Sequence, residues 1–284
     1  MRKVITLKPE ASKRLIARSI SRLPAVQKAF SEGYIILSLG TTCGYIVEEL
    51  SGNSIPRSRY ACGYISSMGP CLLGPGEQFR LIVFDHGQMI QLNSKEDSLD
   101  FSESLIKYLE KMGPGDIFIK GGNVMDSSGK VAVLIGGPEG GEIGTALPYI
   151  ARGVGSIVPM LVSKTMPGKV DDILEALKEE KVTKEWCDAE PYDVIILPGK
   201  VITEIEAIRY LFGIEALPLA FGGIGSNRGA TTFLLCGPDA KVEAAYAYLQ
   251  AIKDESPLQE VKNLDCYNCP SYTFLRKKQG RFLT

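Results

Sequence analysis

At 284 residues, 45% of them apolar, the chain can bury a sizeable core, and its length suits one large domain or two modest ones. Thirty-two Lys plus Arg against 33 Asp plus Glu leave a formal net charge of -1, which offers no global basic field to nucleic acid or to an anionic membrane surface. No apolar run approaches the roughly 20 residues that span a bilayer, and residues 1–7 lack the hydrophobic region of a signal peptide, so a cytoplasmic protein with reduced thiols is expected.

In chain order, Leu15, Ile16, Ile20, Leu23, Val26 and Phe30 recur at helical spacing, and Pro24 suits the first position of a second helix. Residues 34–39 form an apolar strand that opens through Gly40-Thr41-Thr42 into a helix carrying Ile46, Val47 and Leu50. Between residues 52 and 97 only one strand, 80–84, stands out from the Gly and Pro breaks. A helix follows with Phe101, Leu105, Leu109 and Met112. Strand 116–119 then runs into Lys120-Gly121-Gly122-Asn123, and strand 131–135 runs into the glycine-rich residues 136–144 and a helix. Further strands are expected at 156–162, 193–197, 215–221 and 230–236, and helices at 169–181, 201–213 and 239–253.

Strands that are apolar throughout and alternate with helices predict an α/β fold, a mostly parallel sheet covered by helices on both faces. The pattern after residue 193 predicts a smaller C-terminal α+β ferredoxin-like domain. The expected division is residues 1–165 for a Rossmann-like ligand-binding domain, 166–192 for a connecting segment, and 193–284 for the α+β domain with its tail.

Two loops look able to cradle an anion at the carboxyl ends of such strands. Gly40, Thr41 and Thr42 offer backbone N–H groups and hydroxyls at a helix start, or simply an ordinary helix cap. Residues 136–144 hold five glycines, including Gly136, Gly137, Gly140 and Gly141, and match neither a Walker motif nor a dinucleotide fingerprint. The stretches YIILSLGTTCGYIVEEL and GDIFIKGGNVMDSSGKVAVLIG together resemble the superfamily of ribose-5-phosphate isomerase A, glucosamine-6-phosphate deaminase, CoA transferases and the effector domains of DeoR-type repressors. The resemblance covers residues 10–165. It implies ligand contacts at Gly40, Thr41, Thr42, Gly121, Gly122 and Asn123, with Asp126 and Lys120 at the site.

Where the isomerases carry proton-transfer aspartates, this chain has Lys120 and Asn123, and neither replaces a carboxylate base near neutral pH. Glu139 or Glu142 stands where a transferase nucleophile is conceivable, although a solvated loop carboxylate is the plainer reading. His86, the single histidine, sits in turn-like sequence. Cys266 and Cys269 have zinc-knuckle spacing but lack a second ligand pair, so no metal and no cofactor are expected. Residues 222–229, with Arg228, read equally as a phosphate contact or a polar hairpin loop.

The resulting expectation is a metabolic isomerase or transferase, homo-oligomeric, acting on a sugar phosphate, nucleotide or CoA derivative. The alternative is a non-catalytic ligand sensor or a structural subunit of a hetero-oligomer. No nucleic-acid or membrane partner is expected, and no helix-turn-helix is evident.

Overall fold

The computed structural model describes residues 1–66, 69–73, 80–92, 102–136, 139–179 and 193–259. Strand β1 (Arg2–Leu7) alternates outward and inward positions, burying Ile5 and Leu7. Helix α1 (Pro9–Ser21) presents two apolar stripes, Ala11 with Leu15 and Ile16 with Ile20, and α2 (Pro24–Glu32) begins at its proline. In β2 (Tyr34–Leu37), Ile35, Ile36 and Leu37 are all fully buried, which is why the stretch is apolar at every position instead of alternating. Helix α3 (Thr41–Ser51) follows after a three-residue loop.

The poorly patterned region holds a hairpin, β3 (Gly63–Ser66) with β4 (Gly69–Leu72), and a second one, β5 (Ile82–Asp85) with β6 (Gln88–Gln91). The second turns on His86 and Gly87, both at positive φ as a type I′ turn requires. Then come α4 (Ser102–Leu109), β7 (Ile117–Ile119), β8 (Val124–Met125), β9 (Val131–Ile135), α5 (Gly141–Ala151), β10 (Gly155–Pro159) and a single 3-10 turn, Val162–Lys164. Helix α6 (Val170–Glu179) ends the first half.

Beyond it lie β11 (Asp193–Ile196), β12 (Lys200–Ile202), α7 (Glu204–Phe212), β13 (Glu215–Gly222), β14 (Ala230–Cys236) and α8 (Asp239–Ile252). The helix expected over 201–213 loses its first residues to β12. Thr203 caps α7 by accepting from the Ile205 N–H while Glu206 accepts from the Thr203 N–H, so the capping box fixes the boundary that apolar periodicity alone does not.

The architecture is mixed α/β with a mixed six-stranded sheet in the order β12-β10-β7-β2-β5-β6. β12, β10, β7 and β2 run parallel, and β5 and β6 continue antiparallel from β2. A three-stranded antiparallel sheet, β1-β14-β13, backs onto α7 and α8 around a second core of Phe233, Leu235, Val242 and Leu249. Helix α1 contributes one stripe to each core. Strand pairing crosses residues 166–192 three times, β1 with β14, β9 with β11 and β10 with β12, so the two cores are not successive stretches of chain. Among the described residues no helix is long and apolar enough to cross a membrane.

Candidate functional site

The four parallel strands end at one edge of the sheet, which gathers residues 38–40, 120–123, 160–164 and Thr203. From β2 the chain proceeds to β5 on one side, whereas from β7 it proceeds to β10 and β12 on the other. Loops that leave neighbouring strands in opposite directions open a crevice between them, the usual ligand position in open α/β sheets. Here that point falls between Ser38 and Lys120.

A buried ion pair occupies it. Lys120 Nζ donates to Ser38 Oγ at 2.8 Å and lies 3.2 Å from Glu142 Oε2, with side-chain exposures of 13% for the lysine and 11% for the glutamate. Ser38 Oγ also donates to Glu142, and the Leu39 N–H points at the same carboxylate at 3.2 Å. Glu142 stands in the first turn of α5, where a negative charge faces the positive helix end. The helix that follows the second glycine-rich stretch therefore reaches this edge, and the carboxylate of its first turn is engaged by Ser38, Leu39 and Lys120. Glu142, read from sequence as a solvated residue, is instead a framework ion.

Behind this pair, Tyr60 is fully buried and donates to Leu37 O at 2.6 Å, while the Ile82 N–H donates to its hydroxyl at 3.2 Å, tying β2 to β5. Cys43, in the first turn of α3, is fully buried with Sγ 3.8 Å from Ile119 O. Burial pushes its thiol up to about 12, against the pull of the Gly121 N–H and Lys120, so it stays protonated and is no nucleophile.

Gly40, Thr41 and Thr42 form the start of α3 as expected, with Gly40 at the cap position and Thr42 buried. Gly40 has φ 175 and ψ 138, extended backbone open to any residue, and a side chain there would meet only Cys43 Sγ at 3.9 Å. The other glycines differ. A Cβ on Gly121 would lie 3.2 Å from Pro159 O, one on Gly122 would lie 2.2 Å from Val131 Cγ1, and one on Gly140 would lie 2.9 Å from Ile195 Cδ1. Gly140 and Gly141 also have φ 73 and 60. Packing or conformation accounts for these four and leaves Gly40 unexplained. Gly122→Ala should accordingly cost about 1–3 kcal/mol through overpacking against Val131, read as a lower midpoint in urea.

The remaining expected residues are placed as follows. Asp126 is buried and accepts from Ser128 Oγ at 2.6 Å, the Ser128 N–H at 2.9 Å, the Lys130 N–H at 3.1 Å and the Val170 N–H at 3.2 Å. These bonds, that of Ser128 first, hold its carboxyl down to about 2, and a carboxylate so saturated is a turn organiser, poorly suited to proton abstraction. Asn123 donates its N–H to Ala132 O at 2.8 Å and accepts from the Leu134 N–H at 3.0 Å, closing the β8–β9 hairpin. Glu139 is exposed, one residue before the helix cap Gly140, and Gly136 is half-buried at the end of β9. His86 pairs with its neighbour Asp85 at 2.6 Å on the β5–β6 turn, and Arg228 is exposed beside the turn between β13 and β14. Gly137, Cys266 and Cys269 lie outside the described residues.

Three further groups escaped the sequence reading. Lys164, on the 3-10 turn after β10, donates to Gly122 O at 2.9 Å and is solvent-accessible, yet surrounding protein lowers its pKa by desolvation. Lys13, half-buried on α1, is lowered to about 8, first by desolvation and then by the charge of Lys164. Glu204, fully buried at the start of α7, accepts from the Val162 N–H at 2.9 Å, while its other oxygen lacks a hydrogen-bond partner among the described residues and burial pushes its carboxyl up. The Thr203 to Glu206 capping box was a legible signal for Glu204's position. Nothing local marks the lysines, because what sets them apart comes from partners distant in sequence.

Compared with protein-family models, with curated proteins and with solved structures, the chain gives no match.

Proposed function

We propose that this protein binds a small anionic metabolite, phosphorylated or CoA-like, in the crevice between the loops after β2 and β7. The first turn of α3 supplies N–H donors from Thr41, Thr42 and Cys43, which have no acceptor within the helix. The observation that carries the reading is Gly40. Neither its backbone angles nor its neighbours call for glycine, and a missing side chain in front of free N–H groups suits a ligand drawn against the backbone.

We place the fold with the ribose-5-phosphate isomerase A, glucosamine-6-phosphate deaminase and CoA-transferase-like proteins, on the order of its N-terminal elements. In that frame the site is a binding site first. Lys120 is engaged by Glu142 and Ser38, Asn123 by the hairpin and Asp126 by its turn, so these residues favour a ligand sensor or a chemistry other than carboxylate-driven sugar isomerisation.

The test is a thermal-shift panel of sugar phosphates, nucleotides and CoA derivatives on the wild type and Gly40→Ser. A ligand at a hundred times its dissociation constant adds about 2.7 kcal/mol to the native state. Serine is a good cap, so the variant should match the unliganded wild type within a few tenths of a kcal/mol while losing the ligand-induced shift. A full shift retained in Gly40→Ser, or no shift in the wild type, refutes the reading.

A further inference from the structure

We propose that the outer face of the three-stranded sheet β1-β14-β13 is an interaction surface, and that its partner is a second copy of this chain, packed face to face about a two-fold axis running along β14.

Helices cover this sheet on one side only. Ile5, Leu7, Ala216, Phe233 and Leu235 point toward α7 and α8 and are at most 4% exposed. The residues between them face the other way, as the two-residue period of a strand requires. There Val4, Leu234 and Leu217 stand in one row across the three strands. Val4 and Leu217 are 52% and 53% exposed, and Leu219, at the bulge of β13, is 54% exposed. Phe221 and Ile224 extend the exposed apolar surface into the turn between β13 and β14. Few other large apolar side chains are exposed among the described residues, and a patch gathered in this way marks an interaction site.

The edges of the sheet are poor templates for another strand, which turns the contact onto the face. β13 carries Pro218, which has no N–H to offer, and its register shifts between Pro218 and Ala220. β1 carries Arg2 and Lys3.

The polar groups of the face suit burial against a copy of itself. Thr6 and Thr232 are register partners whose hydroxyls bond each other at 2.8 Å, so neither is stranded when water leaves. Charge is confined to the end row, where Arg2 and Glu215 flank Cys236 on opposite edges of the sheet. A two-fold along β14 exchanges those edges in the facing sheet. It therefore sets Leu234 over the second copy's Leu234, Val4 over the second copy's Leu217, and Arg2 over the second copy's Glu215, with the last two contacts made twice. Among the described residues Arg2 has no carboxylate partner of its own. Glu215 takes the fork of Arg209 at 2.8 and 3.2 Å, and a carboxylate keeps lone pairs for a second guanidinium. An apolar centre with a complementary charged rim is the usual make-up of a specific interface.

The size of the face sets the strength. Three strands about six residues long cover roughly 20 Å by 14 Å. Even with the hairpin turn the contact stays at the small end of specific interfaces, under about 1,200 Å² in total, so the dimer should dissociate at roughly 10–500 μM.

Sedimentation of the full chain from about 1 μM to about 1 mM tests this. The wild type should pass from monomer to dimer, and Leu217→Lys should weaken the dimer about tenfold or more. Leu217 is exposed in the monomer, so the dilute variant should melt within about 2 °C of the wild type. Arg2→Glu puts like charges opposite each other and should weaken the dimer about fivefold, while Arg2→Glu combined with Glu215→Arg should restore it to within about threefold of the wild type. A wild type that stays monomeric throughout overturns the proposal, as does a dimer that Leu217→Lys leaves intact. A large drop in the melting temperature of dilute Leu217→Lys also overturns it, because the face is then covered by the chain itself. If Leu217→Lys breaks the dimer and neither charge variant changes it, the axis along β14 is overturned.

Discussion

Arg14→Met is expected to lower the unfolding free energy by about 3 kcal/mol, the low end of the range for breaking a buried ion pair. Arg14 donates to Glu48 at 2.6 Å, to Glu49 at 2.8 Å and to Glu255 at 2.9 Å, with its own side chain 11% exposed. Arg57 shares Glu255 at 2.6 Å, and Arg18 shares Glu49 at 3.2 Å. Both Arg14 and Arg57 lie over the Tyr45 ring, at 4.7 and 4.4 Å from its centroid. Since α1, α3 and the segment after α8 all meet here, the network joins the two cores that α1 separates. Removing Arg14 leaves Glu48 with the Ile55 N–H at 3.1 Å and a guanidinium only at 3.7 Å, while Arg57 and Arg18 still serve the other two acids, which keeps the loss from being larger.

Arg14→Lys keeps the charge but not the fork and should fall between wild type and methionine. At roughly 2–4 °C per kcal/mol for a chain of this size class, the methionine variant should melt about 6–12 °C lower. Burial would raise the pKa of Glu255, but its bonds to Arg14 and Arg57 win and hold it below 4.5. A depressed carboxylate stabilises above its unfolded pKa, so the gap between wild type and Arg14→Met should be full above pH 4.5 and narrow as pH falls through the folded value. A loss under about 1 kcal/mol, the range of exposed pairs, would mean that solvent already screens the network.

The legible and illegible parts of this chain differ in how local their causes are. The strands at 34–37, 117–119 and 131–135 and the helices of α1, α3 and α8 follow from apolar spacing over a few residues, and they are present. β1 carries a two-residue alternation, but among charged neighbours it has no partner until β14, more than 200 residues later, pairs with it. β12 was absorbed into a helix because Val201 and Ile202 satisfy both periods, and only parallel pairing with β10 decides between them. At the sheet edge, the positions of Gly40 and Lys120 were readable from their place after strands. The glycines at 121 and 122 were read as ligand contacts, and the structure adds that a side chain there would crowd Pro159 and Val131, contacts that no single-sequence pattern encodes. Asp126 followed the same course, since its four donors come from its own turn and from the start of α6.

Lys120→Met is the second large effect expected, about 3 kcal/mol of stability, because it strands Glu142 in a place where its carboxylate is 11% exposed. Glu142→Gln should cost less. The amide oxygen can still accept from the Leu39 N–H, and the lysine keeps the Ser38 hydroxyl. If the two charges act as a pair, the double variant should lose less than the sum of the singles, with a coupling of about 1–3 kcal/mol in urea denaturation. The same variants report on the crevice. Glu142 holds Leu39, the residue before Gly40, so if an anion binds at Gly40 as proposed, loosening Glu142 should weaken the protection that anion gives. A different outcome reassigns the lysine: if Lys120→Met keeps wild-type stability and removes the ligand-induced shift, Lys120 belongs to the ligand and the ion pair is not what holds this edge together.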